Sequence, residues 1–339
     1  MKILFTAFYT SELGGGETSF LNLINHLSKN KDNELLIIVP SHGVFIDKIN
    51  KTDNLKIEIK QNLYEIIFMT HEFDLAIHNY INYGKKFLFL PFAKIKKHSF
   101  ICHGLWDIPK YSKLFFLKLK KANLYCVNEE IFYNINYKDK QLINLGIELN
   151  KFKVQQNKTN MINIGVIGRF QDIKNQLFAV EIFRELNIKY NNLQLFFIGD
   201  AAFTQESIKY KQKVIKKVEN IDLGNIFFIG NKNNYEVFDA IDIVFIPSKY
   251  ESFGMVVIES LANGVVCLAP NIGGPKQIMK DKLSDYLYIP NEKKSALEKF
   301  IYLITNLEKT KQEFREKGQY FKDKYNIENT VKTLLEGDK

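Results

Sequence analysis

The sequence predicts an α/β protein of two doubly wound, Rossmann-like domains facing one another across a cleft. Three observations carry this. Short apolar runs of strand length alternate with longer segments of helical spacing, the pattern of a parallel sheet covered on both faces. The 339 residues exceed one ordinary domain and fall short of three. Helical and strand spacing lapses over the polar stretch from Asn150 to Met161, after which a second series of strand and helix units begins.

Taken in order, the first domain covers residues 1–150, with strands expected at Lys2 to Phe8, Leu35 to Pro40, Leu75 to His78, Ser99 to Cys102, Leu124 to Val127 and Leu142 to Asn144. Phe87 to Ala93 reads as a further strand running into a turn at Pro91. A helix is expected over Glu17 to Leu27, with Phe20, Leu23, Ile24 and Leu27 on one side. It follows Gly14-Gly15-Gly16, a loop at the carboxyl end of the first strand, where open α/β sheets take ligands. Residues 151–161 form the linker.

The second domain, 162–320, is expected to hold strands at Ile162 to Ile167, Leu193 to Ile198, Ile226 to Ile229, Ile243 to Ile246 and Val265 to Ala269. Helices begin at Gln176 and near Glu206, and further ones cover 291–307 and 309–320. A last helix, within 321–339, is placed so that it crosses back onto the first domain.

Composition narrows the setting. Cys102, Cys126 and Cys267 lie in apolar segments without disulfide or metal-ligand spacing, which fits a reducing cytoplasm. The amino-terminal apolar stretch is too short for a secretory signal, and no run approaches a bilayer span, so the chain reads as cytoplasmic, soluble or peripheral. Net charge is +9, and residues 81–121 hold ten lysines against one acid, Asp107. Such a face suits nucleic acid, an acidic substrate or anionic lipid, and equally an ordinary solubilising surface in a lysine-rich chain. On a helical wheel of Lys110 to Lys121, Tyr111, Phe115, Phe116 and Leu119 form an arc that would pack on the domain. Leu114 and Leu117 lie among the lysines, as in a helix resting on an anionic leaflet.

The chemistry concentrates at residues 250–274. Ser252, Phe253 and Gly254 would lead into a helix starting near Met255, whose unpaired amides and positive dipole end suit a phosphate. Glu259, about one turn in, could accept hydrogen bonds from ribose hydroxyls, while Glu251 sits before the helix, nearer whatever the phosphate carries. A capped helix with two solvated acids reads the same residues equally well. Arg169 and Lys174 project from the loop after the first strand of the second domain, two cations suited to a diphosphate. No Asp-x-Asp pair follows a strand, so no metal site is expected. His103 ends a first-domain strand on the ligand edge, and Gly199, Gly230 and Ser248 mark loops on the same edge of the second sheet. The remaining histidines read as structural or exposed.

These segments resemble the retaining family 4 glycosyltransferases of the GT-B fold. Arg169 with Lys174, Gly199-Asp200, Phe228-Ile229-Gly230, Ala240 to Ser248, the pair Glu251 and Glu259, and Gly273-Gly274 occur in that family's order. Gly14-Gly15-Gly16-Glu17 resembles its acceptor-side glycine loop, and Cys102-His103-Gly104 its strand-end histidine. The resemblance implies that Arg169 and Lys174 bind the donor diphosphate and that Glu259 holds the ribose. It also implies that Glu251 contacts the transferred sugar, that His103 supports the reacting face, and that Gly15, Gly16, Gly199, Gly230, Ser252, Phe253, Gly254, Met255 and Val256 complete the donor site. It further implies a nucleotide-sugar donor, a UDP-sugar first and a GDP-sugar second, and a glycan or lipid-linked acceptor. No cofactor, metal or nucleic acid is implied. Asn175 and Gln277 depart from the family's usual glycine and acidic residue.

The expected activity is therefore sugar transfer during cell-surface polysaccharide or lipopolysaccharide assembly at the cytoplasmic face of the inner membrane. Two alternatives share the architecture: a sugar-nucleotide epimerase and a non-catalytic nucleotide-sugar-binding scaffold. A dehydrogenase is disfavoured, since Gly14-Gly15-Gly16 lacks Gly-x-Gly-x-x-Gly spacing.

Overall fold

In the computed structural model, which describes residues 1–8, 10–11, 13–108, 114–148, 160–232 and 237–336, the apolar runs pair into two all-parallel sheets. The first sheet uses β1 (Lys2–Thr6), β2 (Glu34–Val39), β3 (Leu55–Ile59), β4 (Glu72–His78), β5 (Lys94–Cys102), β6 (Asn123–Cys126) and β7 (Lys140–Leu142). Their order is β3-β2-β1-β4-β5-β6-β7, so winding reverses between β1 and β4 and opens a crevice at their carboxyl ends. Ile3, Leu4 and Phe5 are fully buried because helices cover both faces of the sheet. The helix Gly15–Leu27 lays Phe20, Leu23, Ile24 and Leu27 on it, each such side chain contributing about 1.5–3 kcal/mol by leaving water.

The helix Ile327–Glu336 belongs to this unit, which comprises Met1–Glu148 and Tyr325–Lys339. Its entry is held by Ile147 N–H to Tyr325 O at 2.9 Å and Ile327 N–H to Ile147 O at 3.2 Å. A side chain at Gly146 would place its Cβ 2.4 Å from the Ile327 Cα, so the strands of chain cross here only because residue 146 is glycine. Thr330 donates to Asn144 O and Tyr125 to Thr333 O, while the Lys97 ammonium donates to the last carbonyls, Leu334 O and Leu335 O, the favoured charge at a helix carboxyl end.

Several first-unit elements differ from expectation. β3 is an edge strand, half exposed, and its Lys56 and Glu58 interrupt the apolar run that would have revealed it. β5 begins at Lys94 rather than Ser99, because Lys94 and Lys96 extend it along the solvent side, paired with Glu72 and Asp74. Phe87 to Ala93 is no strand: a 3-10 turn, Lys85–Phe87, gives way to irregular chain around Pro91, which lacks the N–H a ladder needs. Gly15 and Gly16 lie in the first turn of the helix, not in a loop before it.

The second sheet contains β8 (Ile162–Ile167), β9 (Leu193–Ile198), β10 (Ile226–Gly230), β11 (Ile243–Phe245), β12 (Val266–Pro270) and β13 (Leu287–Tyr288) in the order β10-β9-β8-β11-β12-β13. Winding reverses between β8 and β11. Phe178, Phe245 and Tyr288 pack together over it, with Phe245 edge-on to Phe300 at 4.9 Å. This unit spans Leu149–Lys324, and its helix Leu307–Lys324 runs four residues past the expected end at 320. Of the expected linker 151–161, all but Asn160 and Met161 lies outside the described residues. Among the described residues no helix is long and apolar enough to cross a membrane, and the three cysteines are buried free thiols.

Candidate active site

In the second unit, polar side chains gather where β8 and β11 adjoin. After β8, Gly168 turns the chain with φ of 144°, and Phe170 N–H bonds Asp200 O at 3.0 Å. A short turn, Asp172–Lys174, ends at Asn175 in the left-handed region, φ 55°, which asparagine tolerates better than most residues. Asparagine thus takes a conformation that glycine also adopts readily. Lys249 N–H donates to Ile173 O at 2.8 Å, fastening this turn to the loop after β11.

Those contacts bring Lys174 Nζ to 2.5 Å from Glu251 Oε2, and Ser248 Oγ donates to the same oxygen at 3.3 Å. The pair is neither buried nor free: the side chains are 28% and 18% exposed. Lys174, Ser248, Glu251, Gly254 and Val256 line a depression walled by Val166, Ile167 and Ile246. Gln176, which the sequence reading did not single out, also lines it; its amide nitrogen bonds Arg169 O at 2.8 Å.

The helix Met255–Ala262 starts at this depression, where the sequence predicts, from Gly254 at φ 90°. The amides of Met255, Val256 and Val257 are its first donors, those for which no helical carbonyl exists. Glycines hold the approach. Gly274 N–H bonds Glu251 O at 2.8 Å, and a Cβ there would lie 1.9 Å from Phe253 O. One at Gly273 would lie 2.3 Å from Glu251 O. Ser252 and Phe253 are therefore backbone-clamped, Phe253 with its ring buried. Glu259 is 5% exposed on the second turn of the helix.

Gly199 and Gly230 close the neighbouring strand ends: Gly199 N–H bonds Gly230 O at 2.8 Å, and a Cβ on Gly199 would lie 2.3 Å from Gly168 O. Arg169, Gly199, Gly230, Ser252, Phe253, Met255 and Glu259 are not among the residues lining the depression. The structure thus brings Lys174, Ser248, Glu251 and the helix start together.

In the first unit, the corresponding edge is closed upon itself. Glu17 folds back to accept from Gly14 N–H at 2.9 Å and from the Tyr80 hydroxyl. An anion at the start of this helix, beside Gly15 and Gly16, would meet that buried carboxylate. The Tyr80 ring lies 5.0 Å from His103, whose Nε2 is 2.8 Å from Asn79 Oδ1. With a carbonyl oxygen there, Nε2 carries the proton and Nδ1 is left as an acceptor. A Cβ on Gly16 would come within 3.0 Å of that Nδ1, so the glycine makes room for the imidazole. Burial pulls the His103 pKa down to about 4, keeping the ring neutral. Asn79 and Tyr80 escaped the sequence reading; their position just past β4, beside β1, was the signal available.

The basic segment is less uniform than its charge count. Lys94 and Lys96 are paired across β4, Lys97 caps the last helix, Lys86 lies over the Tyr83 ring and Lys120 over Phe89. Of the expected helix from Lys110 to Lys121, residues 110–113, including Lys110, Tyr111 and Lys113, lie outside the described residues, and Leu114–Leu119 is helical. Its orientation is opposite to expectation. Leu117 is the buried residue, while Phe115, Phe116 and Leu119 are exposed, because the short helix turns its single aliphatic anchor inward before the chain reverses at Lys121, φ 48°.

This fold and edge geometry can be set beside known proteins. A profile described as glycosyl transferases group 1 matches residues 148–321, half of the chain. The chain belongs to the group 1 glycosyl transferases, and its two-sheet architecture is the GT-B fold. HepE of Anabaena, solved with UDP and glucose, superposes with a TM-score of 0.81 at 16% identity, covering 99% of this chain and 98% of that one. S. aureus TarM, in complex with fondaparinux, α-GlcNAc-glycerol and UDP, gives 0.79 at 12% identity, covering 98% and 99%. In sequence, the chain is 28% identical over 124 residues to the lipopolysaccharide 1,2-N-acetylglucosaminetransferase of Salmonella typhimurium, covering 35% of this chain and 32% of the relative. It is 25% identical over 201 residues to the capsular polysaccharide glycosyltransferase CapH of Staphylococcus aureus, covering 54% and 55%. The chain spans little more than half the length, or less, of these curated relatives.

Proposed function

We propose that the protein transfers a sugar from a nucleoside diphosphate donor to a hydroxyl of a glycan or lipid-linked acceptor, in cell-surface polysaccharide or lipopolysaccharide assembly. The observation that carries this reading is the partly exposed Lys174–Glu251 pair at the start of the helix Met255–Ala262. A carboxylate holds the lysine in place without consuming it, and an arriving diphosphate offers the ammonium a second anion. The amides of Met255 and Val256 supply further donors, and Arg169, from the loop after β8, closes on the same group. Glu251, with one oxygen on Lys174, has the other for the hydroxyls of the transferred sugar, and Glu259 binds the ribose. A UDP-sugar is the first choice of donor, consistent with UDP in the HepE and TarM structures, and a GDP-sugar the second.

Transfer proceeds with retention and without a resident metal. The acceptor hydroxyl attacks the anomeric carbon on the face from which the diphosphate leaves. Its oxygen forms the new glycosidic bond as the bond to the β-phosphate oxygen breaks. The departing phosphate takes the hydroxyl proton, and Lys174, Arg169 and the helix amides hold the charge that develops. Neutral His103 hydrogen-bonds a sugar hydroxyl through Nδ1.

Ligand-induced thermal stabilisation with UDP, GDP, ADP and CMP tests the donor site. A selective shift with one nucleoside diphosphate, lost in Lys174→Ala, is expected; no shift with any nucleotide would move the reading to a scaffold. Turnover of donor without acceptor would instead indicate an epimerase.

The same reading places the protein peripherally on the cytoplasmic membrane face. Phe89 and Phe116 meet edge-on at 5.5 Å, both exposed, beside exposed Phe115 and Leu119 and next to Lys118, Lys120 and Lys121. Apolar rings among cations suit an anionic leaflet. Co-sedimentation should be stronger with anionic than neutral vesicles and should weaken in Phe115→Ser/Phe116→Ser; equal binding to both vesicles would remove the membrane role.

A further inference from the structure

A second cavity, of about 340 Å³, lies wholly within the first unit, lined by Phe8, Tyr80, Asn82, Tyr83, Trp106 and Asp107, with Lys86 beside them. That volume is at the small end of ligand pockets. Its wall combines flat aromatic faces with fixed polar groups. Trp106 is the only tryptophan of the chain, and it is 58% exposed. So large a ring left in water gains little for the fold. Its position is nevertheless built: the indole lies so close over Gly104 that a Cβ there would be 2.3 Å from its Nε1, and the Tyr80 ring lies 5.5 Å away.

The polar side of the cavity is equally held. Asp107 is fully buried and accepts from the Ile81 and Asn82 amides at 2.9 and 3.2 Å, and the Asn82 side chain donates to the Asp107 carbonyl at 3.3 Å. Tyr83, whose buried hydroxyl has no hydrogen-bond partner among the described residues, lines the same cavity. The Tyr80 ring separates it from His103, touching both that imidazole and Trp106.

The geometry points to a saccharide subsite in which a pyranose ring lies against Trp106. The C–H bonds on one face of a pyranose are slightly positive and sit well on the negative face of an indole, while its hydroxyls at the rim meet Asn82, held in place by buried Asp107, and Lys86. An acyl chain would leave those polar groups facing hydrocarbon. That this sugar is the acceptor rests on the transferase reading above; that a sugar ring binds at Trp106 does not.

The lone tryptophan makes the test direct in the full chain, without donor or turnover. Titration with methyl α-D-glucopyranoside, methyl α-D-galactopyranoside and N-acetylglucosamine is expected to change Trp106 emission saturably with at least one of them, while mannitol, an acyclic polyol, leaves it unmoved. Emission that ignores every ring sugar, or follows mannitol equally, overturns the subsite, as does a response to octanol alone. In transfer assays, Trp106→Ala should raise the acceptor KM at least tenfold and Trp106→Phe less, with donor KM within twofold of the parent. An unchanged acceptor KM in Trp106→Ala overturns the acceptor assignment even where sugars perturb the emission.

Discussion

The carboxyl edges of the two sheets carry similar parts in opposite states. In the first unit, a glycine-led helix start has its acid, Glu17, turned inward and satisfied by Gly14 N–H and the Tyr80 hydroxyl. In the second, the acid before the helix, Glu251, faces a partly exposed lysine. A satisfied buried carboxylate fixes geometry, whereas a half-open ion pair is worth little to stability and can exchange partners when a ligand arrives. The first edge is a frame, and on the function proposed above the second receives the donor's charge.

The comparison breaks most visibly at Lys174. Lys174→Ala should lower kcat/KM by the equivalent of roughly 2–5 kcal/mol if it neutralises the leaving diphosphate, with thermal stability almost unchanged. Unaltered turnover would remove it from the mechanism.

Next in size is the acid response of the first unit. His98 and His103 are held at about 4 and His78 well below its usual value, all by burial, whereas burial pushes Asp107 up to about 7. The folded histidines are depressed, so the unfolded chain takes up their protons first, and stability is lost as pH falls from 6.5 towards 4. Asp107 acts oppositely, favouring the fold as pH falls from 7 towards 3.8. The histidines outnumber it, so the net uptake is about two protons, about 3 kcal/mol per pH unit as an upper figure. Urea midpoints at pH 7, 6 and 5, read through Trp106 emission, should fall with pH; a flat series would show that these rings are not buried neutral.

Gly274→Ala should cost about 1–3 kcal/mol, since its methyl would collide with Phe253 O and the loop must shift. Because that loop positions Glu251, nucleotide stabilisation should disappear with it; retained nucleotide binding would detach the glycine pair from the site. The smallest effect is expected for Glu17→Gln, about 1 kcal/mol in thermal stability, with the donor-induced shift intact. Loss of nucleotide binding in that variant would mean the first edge is also a receptor.

Much of this was legible in the residues. Buried parallel strands announce themselves as mostly apolar runs, so β1, β8 and β9 were readable nearly to the residue. Edge strands do not: β3 alternates polar residues, and β13 has only two. The helix start at Met255 was visible because Gly254 and the following apolar run mark it together. What escaped was mostly tertiary. Nothing in the spacing of Leu114 to Leu119 says that Leu117 alone is buried, and nothing near Glu17 or His103 says that Tyr80 bridges them from the turn after β4. The left-handed Asn175 shows the converse: its letter departs from the family's usual glycine, yet its φ of 55° is one that glycine adopts readily.

The return of Tyr325–Lys339 to the first unit has a consequence for how the chain is made. During translation the amino-terminal sheet leaves the ribosome long before the helix that seats on Asn144, Ile147 and Tyr125 has been synthesised. The whole second unit is made in between. That unit can complete itself as it emerges, since Leu149–Lys324 is continuous. The first must wait with the ground beside Tyr125 and Asn144 uncovered, so the order of maturation runs opposite to the order of synthesis.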